Sequence, residues 1–288
     1  MGTRKKENLL LDFTLKILAT IAGLILFLVP PAQATVYQLF SNHQGSSDFV
    51  ENYDRIVESL RAGDEVVFSN GNKLILGEKL GQGNVTAVFA IKEDNVHVLR
   101  IPLAKEIVDP NTGLARYPRK NLRSFEKGQS TLSAHHVPVV TIFSSLDGEY
   151  LIVDRLEVHA INFLEFIQSY RNLPEQIRHD AIEAMDQFVA ATAPFEVIGD
   201  LHQRNLVYEP IRKRWIIMDL NDKHWIVSGN ELNNSKTTIF NDLSDAYSEI
   251  QSEFESKLLG KLIERWKNII YTARNVGQKT CSSILINN

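Results

Sequence analysis

Hydrophobic and polar residues follow three different patterns along the chain, and each pattern predicts a different structure. Residues 17–29 are apolar except for Thr20 and Gly23, with no polar face. From Asp48 to Ala62 the apolar residues recur at helical spacing, which predicts an amphipathic helix. Short apolar runs then predict strands up to about residue 156, and helical spacing dominates after it. Strands therefore precede helices, an order typical of an α+β fold with two lobes.

The strand-rich part contains the turn signals Asn70-Gly71 and Asp147-Gly148, each between two apolar runs. The predicted strands cover residues 65–68, 73–76, 85–92, 96–102, 137–143 and 150–153, with a helix from Asn121 to Ala134 among them. Helices are predicted over residues 161–169, 174–192 and 244–274, with a strand pair at 206–208 and 215–218. These elements predict an N-terminal lobe of antiparallel sheet plus one helix, and a small helical C-terminal lobe.

The N-terminal segment has the order of a secretory signal. Arg4, Lys5 and Lys6 precede the apolar run, and Pro30-Pro31 and Ala32-Gln33-Ala34 follow it. We expect cleavage near Ala34; the alternative is a single-pass membrane anchor, for which the run is somewhat short. The predicted organisation is residues 1–34 as signal peptide or membrane segment, 35–70 as an N-terminal extension, 71–156 as the N-lobe and 157–288 as a reduced helical C-lobe.

Charge and cysteine content exclude some classes of function. The net charge of −4 and the absence of a clustered basic face argue against nucleic-acid binding. The single cysteine, Cys281, excludes a disulfide within the chain and argues against a cysteine-based metal site.

Three short segments carry candidate chemistry. Glycines in Gly81-Gln82-Gly83 let a backbone approach phosphates without an intervening side chain, although such a pair is also common in plain turns. Asp200 precedes Asn205 by five residues, which is the spacing of a kinase catalytic loop. Asp219 follows the apolar run Trp215-Ile216-Ile217-Met218, where a carboxylate can bridge a magnesium ion to nucleotide phosphates. Each carboxylate alone also fits a solvated loop or an Asx turn.

In this order the segments resemble the protein-kinase-like superfamily over about residues 74–221. Gly199-Asp200-Leu201-His202 with Asn205 is similar to the loop of aminoglycoside and choline phosphotransferases. The compact C-terminal part is similar to the minimal effector kinases that pathogenic bacteria deliver into host cells. The resemblance implies a two-lobed kinase-like fold that uses ATP and Mg²⁺.

The resemblance also implies a role for each candidate residue. Asp200 is the expected catalytic base, and Asn205 and Asp219 are the expected metal ligands. The expected nucleotide contacts are Gly81, Gln82, Gly83, Arg100, Glu126, Asp154 and Leu156. Among these, Arg100 stands at the position of the phosphate-pairing lysine, Glu126 at that of its partner glutamate, and Asp154 and Leu156 on a hinge strand.

The chain departs from the pattern of that superfamily at four points. Arginine replaces lysine at position 100, Ile198 replaces a histidine, Leu220-Asn221 follows Asp219 without a glycine, and no Ala-Pro-Glu segment follows. His202 takes the position of a lysine that stabilises the transferred phosphate, and ordering of the loop is an equally good interpretation of it.

The function that these features predict is ATP- and magnesium-dependent phosphoryl transfer to Ser or Thr of a protein. Export of an ATP-dependent enzyme makes sense when it acts in another cytosol, which predicts a secreted effector with a host protein as substrate. Membrane contact is expected only through the N-terminal segment. The alternatives are a small-molecule kinase of the aminoglycoside or choline type, a nucleotide-binding pseudokinase that acts as an interaction module, and an enzyme of another nucleotide transfer such as adenylylation.

Overall fold

The protein has an α+β fold in which a large, mainly antiparallel sheet is followed by a helical region. The computed structural model describes residues 35–39, 47–83, 86–103, 107–108, 115–116, 119–222, 224–226 and 243–285. The helices are α1 (Ser47–Ser59), α2 (Arg119–Ala134), α3 (Phe163–Ser169), α4 (Glu175–Thr192) and α5 (Glu253–Leu285). Short 3₁₀ helices lie at Tyr170–Asn172 and Asp245–Glu249. The order of strands before helices confirms the α+β class predicted from the sequence.

The large sheet has seven strands in the order β1-β2-β3-β4-β5-β9-β8. Its strands are β1 (Val36–Gln38), β2 (Glu65–Val67), β3 (Lys73–Gln82), β4 (Thr86–Ile91), β5 (Asp94–Pro102), β8 (Ile142–Leu146) and β9 (Tyr150–Asp154). Strand β1 runs parallel to β2, and every other neighbouring pair in this sheet is antiparallel. The sheet therefore includes strands from the predicted N-terminal extension.

Helix α1 covers one face of this sheet. Its residues Tyr53 and Val57 are buried, and Leu60 directly after the helix completes a stripe at helical spacing. These residues pack against Leu99 and Ile101 of β5 in one hydrophobic cluster. The Tyr53 hydroxyl group also donates a hydrogen bond to the backbone C=O of Pro102 at 2.8 Å. The structure thus confirms the amphipathic helix predicted between Asp48 and Ala62, and it packs this helix on the same sheet as the strands of the predicted N-lobe.

The opposite face of β5 belongs to the second, larger core. Because side chains alternate along a strand, Leu99 and Ile101 point to the α1 side, while Val98 and Arg100 point to the other side. Val98 joins a cluster that runs through α2 and continues into the helical region. The β5 strand thus separates a packed outer face from an inner face on which a charged residue lies.

The helical region is built on α4 and α5, which pack against each other. Buried aromatic residues fill its centre: Trp266 of α5 and Trp215 each contact the ring of Phe163 in α3. Trp215 also donates its indole N–H to the backbone C=O of Ala181 at 2.7 Å. The remaining strands are β6 (Ile107–Val108), β7 (Ala115–Arg116), β10 (Ile161–Asn162), β11 (Phe195–Ile198), β12 (Leu206–Glu209), β13 (Arg214–Ile217) and β14 (His224–Ile226).

A short connection joins the two regions beside the inner face of the sheet. The backbone N–H of Val140 donates to the C=O of Ile217 at 3.1 Å, and the N–H of Ile217 donates to the C=O of Pro138 at 3.2 Å. This pairing brings the end of β13, and with it Met218 and Asp219, next to the sheet. The predicted strand over residues 137–143 was wrong in its first part: β8 begins at Ile142, and the preceding residues pair with β13 instead.

No helix within the described ranges is long and apolar enough to cross a membrane. The predicted signal or anchor segment, residues 1–34, lies outside the described residues.

Candidate active site

A cavity of about 460 Å³ lies between the inner face of the sheet and the end of β13. Its wall is mostly apolar, with Leu80 and Val88 on the hairpin β3–β4 and Val98 on β5. The complete lining is Leu80, Gly81, Val88, Val98, Arg100, Val140, Val153, Asp154, Arg155, Leu156, Val158 and Met218. Four of the predicted nucleotide contacts, Gly81, Arg100, Asp154 and Leu156, therefore share one cavity. A pocket with apolar walls and few polar groups is the usual form of a small-molecule site.

The segment after β9 forms one side of this cavity. The N–H of Asp154 donates to the C=O of Thr141 at 3.0 Å, and the N–H of Arg155 donates to the C=O of Val96 at 2.7 Å. Leu156 follows the last of these bonds, and within the described residues neither its N–H nor its C=O has a hydrogen-bond partner. The backbone donor and acceptor of Leu156, a residue that lines the cavity, are therefore not occupied by another described residue.

Gly81 and Gln82 close the end of strand β3 above the cavity. Gly81 pairs with Val88 across the hairpin, and Gln82 pairs with Ala87. The N–H of Gly83 donates to the C=O of Thr86 at 2.9 Å, while residues 84 and 85 lie outside the described ranges. Apart from its two chain neighbours, no described residue has an atom within 4 Å of a Cβ built at Gly81, so its backbone borders open space. Gly81 lines the cavity, and Gln82 and Gly83 continue along the same hairpin.

Arg100 is the charged group of the cavity wall. Only 8% of the residue is exposed, and its guanidinium group lies 4.5 Å from the centre of the Phe125 ring. One terminal nitrogen donates to the backbone C=O of Met218 at 3.1 Å, and the other to Asp219 Oδ1 at 3.0 Å. The buried Nε of Arg100 has no partner in the part of the chain that the structure describes. Because that nitrogen is itself buried, it lies inside the wall and does not face the cavity.

Glu126 does not pair with Arg100. It is half-buried on α2, and among the described residues it makes no hydrogen bond or ion pair. Its neighbour Phe125 faces Arg100 instead, because residues adjacent on a helix point in different directions. The counter-charge of Arg100 in this structure is Asp219.

Asn205 connects Asp200 to the segment that carries Asp219. Its side-chain amide nitrogen donates to the backbone C=O of Asp200 at 2.9 Å, and its own backbone C=O accepts the N–H of Met218 at 2.8 Å. Asp200 has a φ of 64°, a left-handed conformation that aspartate tolerates better than most residues. Because the amide nitrogen is engaged with Asp200, the amide oxygen is the atom of Asn205 that is suited to a cation. Asp200, Asn205 and Asp219 are thus brought together.

The electrostatics of the site also connect its two carboxylates. Partial burial raises the pKa of Asp200 above its ordinary value, and the negative charge of Asp219 raises it further, while His202 acts in the opposite direction. A carboxyl group with a raised pKa next to a second carboxylate is a common feature of active sites. Two acidic side chains thus lie close together, and one of them, Asp219, is paired with Arg100.

Side chains of the loop between Asp200 and β12 contact Glu249 in the helical region. Glu249 accepts a hydrogen bond from the Gln203 side chain at 2.9 Å and forms an ion pair with Arg204. Within the loop, His202 Nδ1 accepts the N–H of Arg204 at 3.2 Å. His202 therefore contributes to the order of the loop in this structure.

The sequence alone missed several side chains of this site. Val98 and Val153 of the wall follow from strand alternation once Arg100 is assigned to the inner face. Phe125 and Glu249 had no comparable signal, because their role depends on how α2 and the 3₁₀ helix at 245–249 pack in three dimensions.

No protein-family model matches this chain, and no curated protein matches its sequence.

Proposed function

We propose that the protein is a nucleotide-binding phosphotransferase that uses ATP and Mg²⁺ in the cavity beside Arg100. The observation that carries this proposal is the position of the Arg100 guanidinium at the wall of an apolar cavity, where it pairs with Asp219 next to the loop of Asp200 and Asn205. Such a cavity suits a ligand with a flat apolar part and an anionic part, and a nucleoside triphosphate has both.

The acidic residues next to Arg100 supply the remaining requirements of phosphoryl transfer. Asp219 and the amide oxygen of Asn205 would hold Mg²⁺, because oxygen ligands are those that this cation prefers. Asp200, whose backbone C=O accepts a hydrogen bond from the Asn205 side chain, would orient the acceptor hydroxyl and accept its proton. In this proposal Arg100 contacts phosphate oxygens while its second nitrogen keeps Asp219 in place.

The proposed acceptor is Ser or Thr of a protein. This choice rests on the resemblance of the compact C-terminal part to the minimal effector kinases. We further propose that the protein is exported and acts on a host protein, which rests on the sequence of residues 1–34. A small-molecule acceptor is the alternative that the resemblance of residues 199–205 favours.

Thermal unfolding with and without ligands tests nucleotide binding. We expect ATP with Mg²⁺ to raise the melting temperature of the wild type, since a ligand that binds only the folded state stabilises it. Asp219→Ala should lose the part of the shift that depends on Mg²⁺. The matched control is Asp147→Ala, which removes an exposed carboxylate on the β8–β9 turn. No shift in the wild type, or equal shifts in both variants, would contradict the proposed site.

Transfer itself is tested with labelled ATP, followed by identification of the labelled amino acid. Asp200→Ala should abolish labelling but keep the thermal shift, because its proposed partner is the acceptor and not the nucleotide. Labelled Ser or Thr in protein supports a protein kinase, and a labelled small molecule from a lysate supports the alternative acceptor.

One observation favours a second candidate, a pseudokinase that binds a nucleotide without transferring phosphate. Asp219 is already paired with Arg100 at 3.0 Å, so the protein partly neutralises the carboxylate that would bind the metal. In a pseudokinase of this kind ATP would raise the melting temperature equally with Mg²⁺ and with a chelator. No label would then appear in the protein or in added substrates.

A further inference from the structure

The segment that follows Asp219 is fastened to helix α2 by two reciprocal hydrogen bonds. The Ser124 hydroxyl group donates to Asp222 Oδ1 at 2.7 Å, and Ser124 Oγ accepts the backbone N–H of Asp222 at 2.8 Å. Lys127, one turn further along α2, has its Nζ 4.0 Å from Asp222 Oδ2. We call the pair Ser124–Asp222 the latch.

A close backbone contact lies beside the latch. Gly128 is four residues after Ser124 and therefore lies on the same face of α2. A Cβ built at Gly128 would lie 2.4 Å from the backbone oxygen of Asn221 and 3.1 Å from its carbonyl carbon. Only glycine permits this approach, because real Cβ atoms do not come so near to a backbone oxygen. The latch and this contact independently show that α2 and residues 220–222 are fitted to each other.

The latch acts on Asp219 through a short piece of chain. Asp222 is three residues from Asp219, and one residue spans at most about 3.6 Å, so a fixed Asp222 limits where Asp219 can lie. Leu220 between them is buried and donates its N–H to Asp219 Oδ1 at 3.2 Å. Glu126 makes no ion pair among the described residues, whereas Ser124 connects α2 to this segment by two hydrogen bonds and Lys127 adds an ion pair with Asp222 at 4.0 Å.

We propose that Ser124 and Asp222 are positioning residues that hold Asp219 in the orientation needed for Mg²⁺, by fixing residues 220–222 to α2. The role for Mg²⁺ rests on the proposed function, whereas the latch itself is a contact of this chain. Ser124 does not touch the cavity, so its effect on the metal is expected only through Asp219.

Three variants separate positioning from a general loosening of α2. Ser124→Ala removes both hydrogen bonds, and Ser124→Thr keeps a hydroxyl group in the same place and serves as the rescue. Arg123→Ala is the matched control, because it removes an exposed ion pair between the neighbouring residue of α2 and Asp147, with 52% and 65% of these side chains exposed. All three changes lie outside the cavity wall.

The first measurement is amide hydrogen exchange of residues 220–222 in the full chain. We expect Ser124→Ala to accelerate exchange about tenfold or more, since the Asp222 N–H loses its acceptor. Ser124→Thr and Arg123→Ala should exchange like the wild type. Unchanged exchange in Ser124→Ala would overturn the latch.

The second measurement is the Mg²⁺ concentration that gives half of the ATP-dependent thermal shift. Ser124→Ala should raise this concentration about tenfold, which corresponds to about 1.4 kcal/mol, and leave the shift with ATP and chelator unchanged. Ser124→Thr should restore the wild-type value. Equal metal requirements in Ser124→Ala and wild type, or the same increase in Arg123→Ala, would overturn the positioning role.

The two proposals fail in different ways. A wild type that does not respond to ATP with Mg²⁺ contradicts the proposed function and removes the metal-positioning role with it, whatever the exchange rates are. A wild type that responds, together with an unaffected Ser124→Ala, contradicts the positioning role alone.

Discussion

Arg100→Met is the substitution whose cost can be worked out most directly from the structure. The change keeps an apolar stem in the cavity wall and removes the guanidinium charge. It thereby removes the hydrogen bonds to Met218 C=O and Asp219 Oδ1 and the contact with the Phe125 ring. Hydrogen bonds that involve a charged group contribute about 1.5–3 kcal/mol each, and a desolvated cation–π contact about 2 kcal/mol.

Two features reduce this loss. The side chain of Asp219 is 33% exposed, so water replaces part of what it loses. Removal of Arg100 also abolishes the cost of keeping a buried charge whose Nε has no partner in the described part of the chain. We therefore expect Arg100→Met to lower the free energy of unfolding by about 2 kcal/mol, well below the sum of its contacts.

Urea unfolding followed by tryptophan fluorescence measures this change, because Trp215 and Trp266 are both buried. Arg123→Met is the control, since its ion pair with Asp147 is exposed and such pairs contribute at most about 1 kcal/mol. A midpoint for Arg100→Met equal to that of the wild type would refute the contacts assigned to Arg100. An equally large loss in Arg123→Met would show that burial does not distinguish the two arginines.

Two further predictions concern stability. Asp200→Asn should stabilise the protein at neutral pH, because the pKa of Asp200 is raised above 3.8 in the folded state. The wild type therefore loses folding stability as the pH rises from 3.8 through the raised pKa, whereas the variant has no charge to acquire. Urea unfolding at a series of pH values measures this difference, and the two proteins should be equally stable below that pH window. Gly128→Ala should lower the melting temperature even though alanine favours helices, because its Cβ would lie 2.4 Å from Asn221 O. Gly260→Ala in α5 is the control, because there the nearest atom is the end of the Tyr247 side chain at 3.1 Å. Equal melting temperatures of the two alanine variants would contradict the close contact at Gly128.

The elements of the sheet were the most predictable part of the fold, because their patterns are local. The turn at Asn70-Gly71 separates β2 from β3 where the sequence places it, and Gly71 has a φ of 82°. Residues 137–141 show what local pattern misses. Their valines predict a strand, yet Val140 pairs with Ile217 from a distant part of the chain, which no local pattern contains.

The candidate site divides in the same way. The resemblance to the kinase-like superfamily implies that Asp200, Asn205 and Asp219 meet, and the structure brings them together through hydrogen bonds of Asn205. The partner of Arg100 was harder to predict from the sequence, because Asp219 and Glu126 are both acidic and both were expected nearby. Which carboxylate pairs with the guanidinium depends on the rotation of α2 about its axis, and that rotation is set by packing and not by the sequence of α2 alone.

The charges of the site lead to a last prediction, which couples the metal to a proton. Asp219 is paired with the Arg100 guanidinium, and the raised pKa of Asp200 reflects burial together with the charge of Asp219. A cation bound at Asp219 would offset that negative charge and lower the pKa of Asp200, so binding of Mg²⁺ at mildly acidic pH should release a proton. Titration calorimetry of Mg²⁺ with ATP in two buffers of different ionisation enthalpy measures the release. Asp200→Asn removes the titrating group and should abolish this part of the heat, whereas a release that persists in the variant would mean that the metal is coupled to a different group.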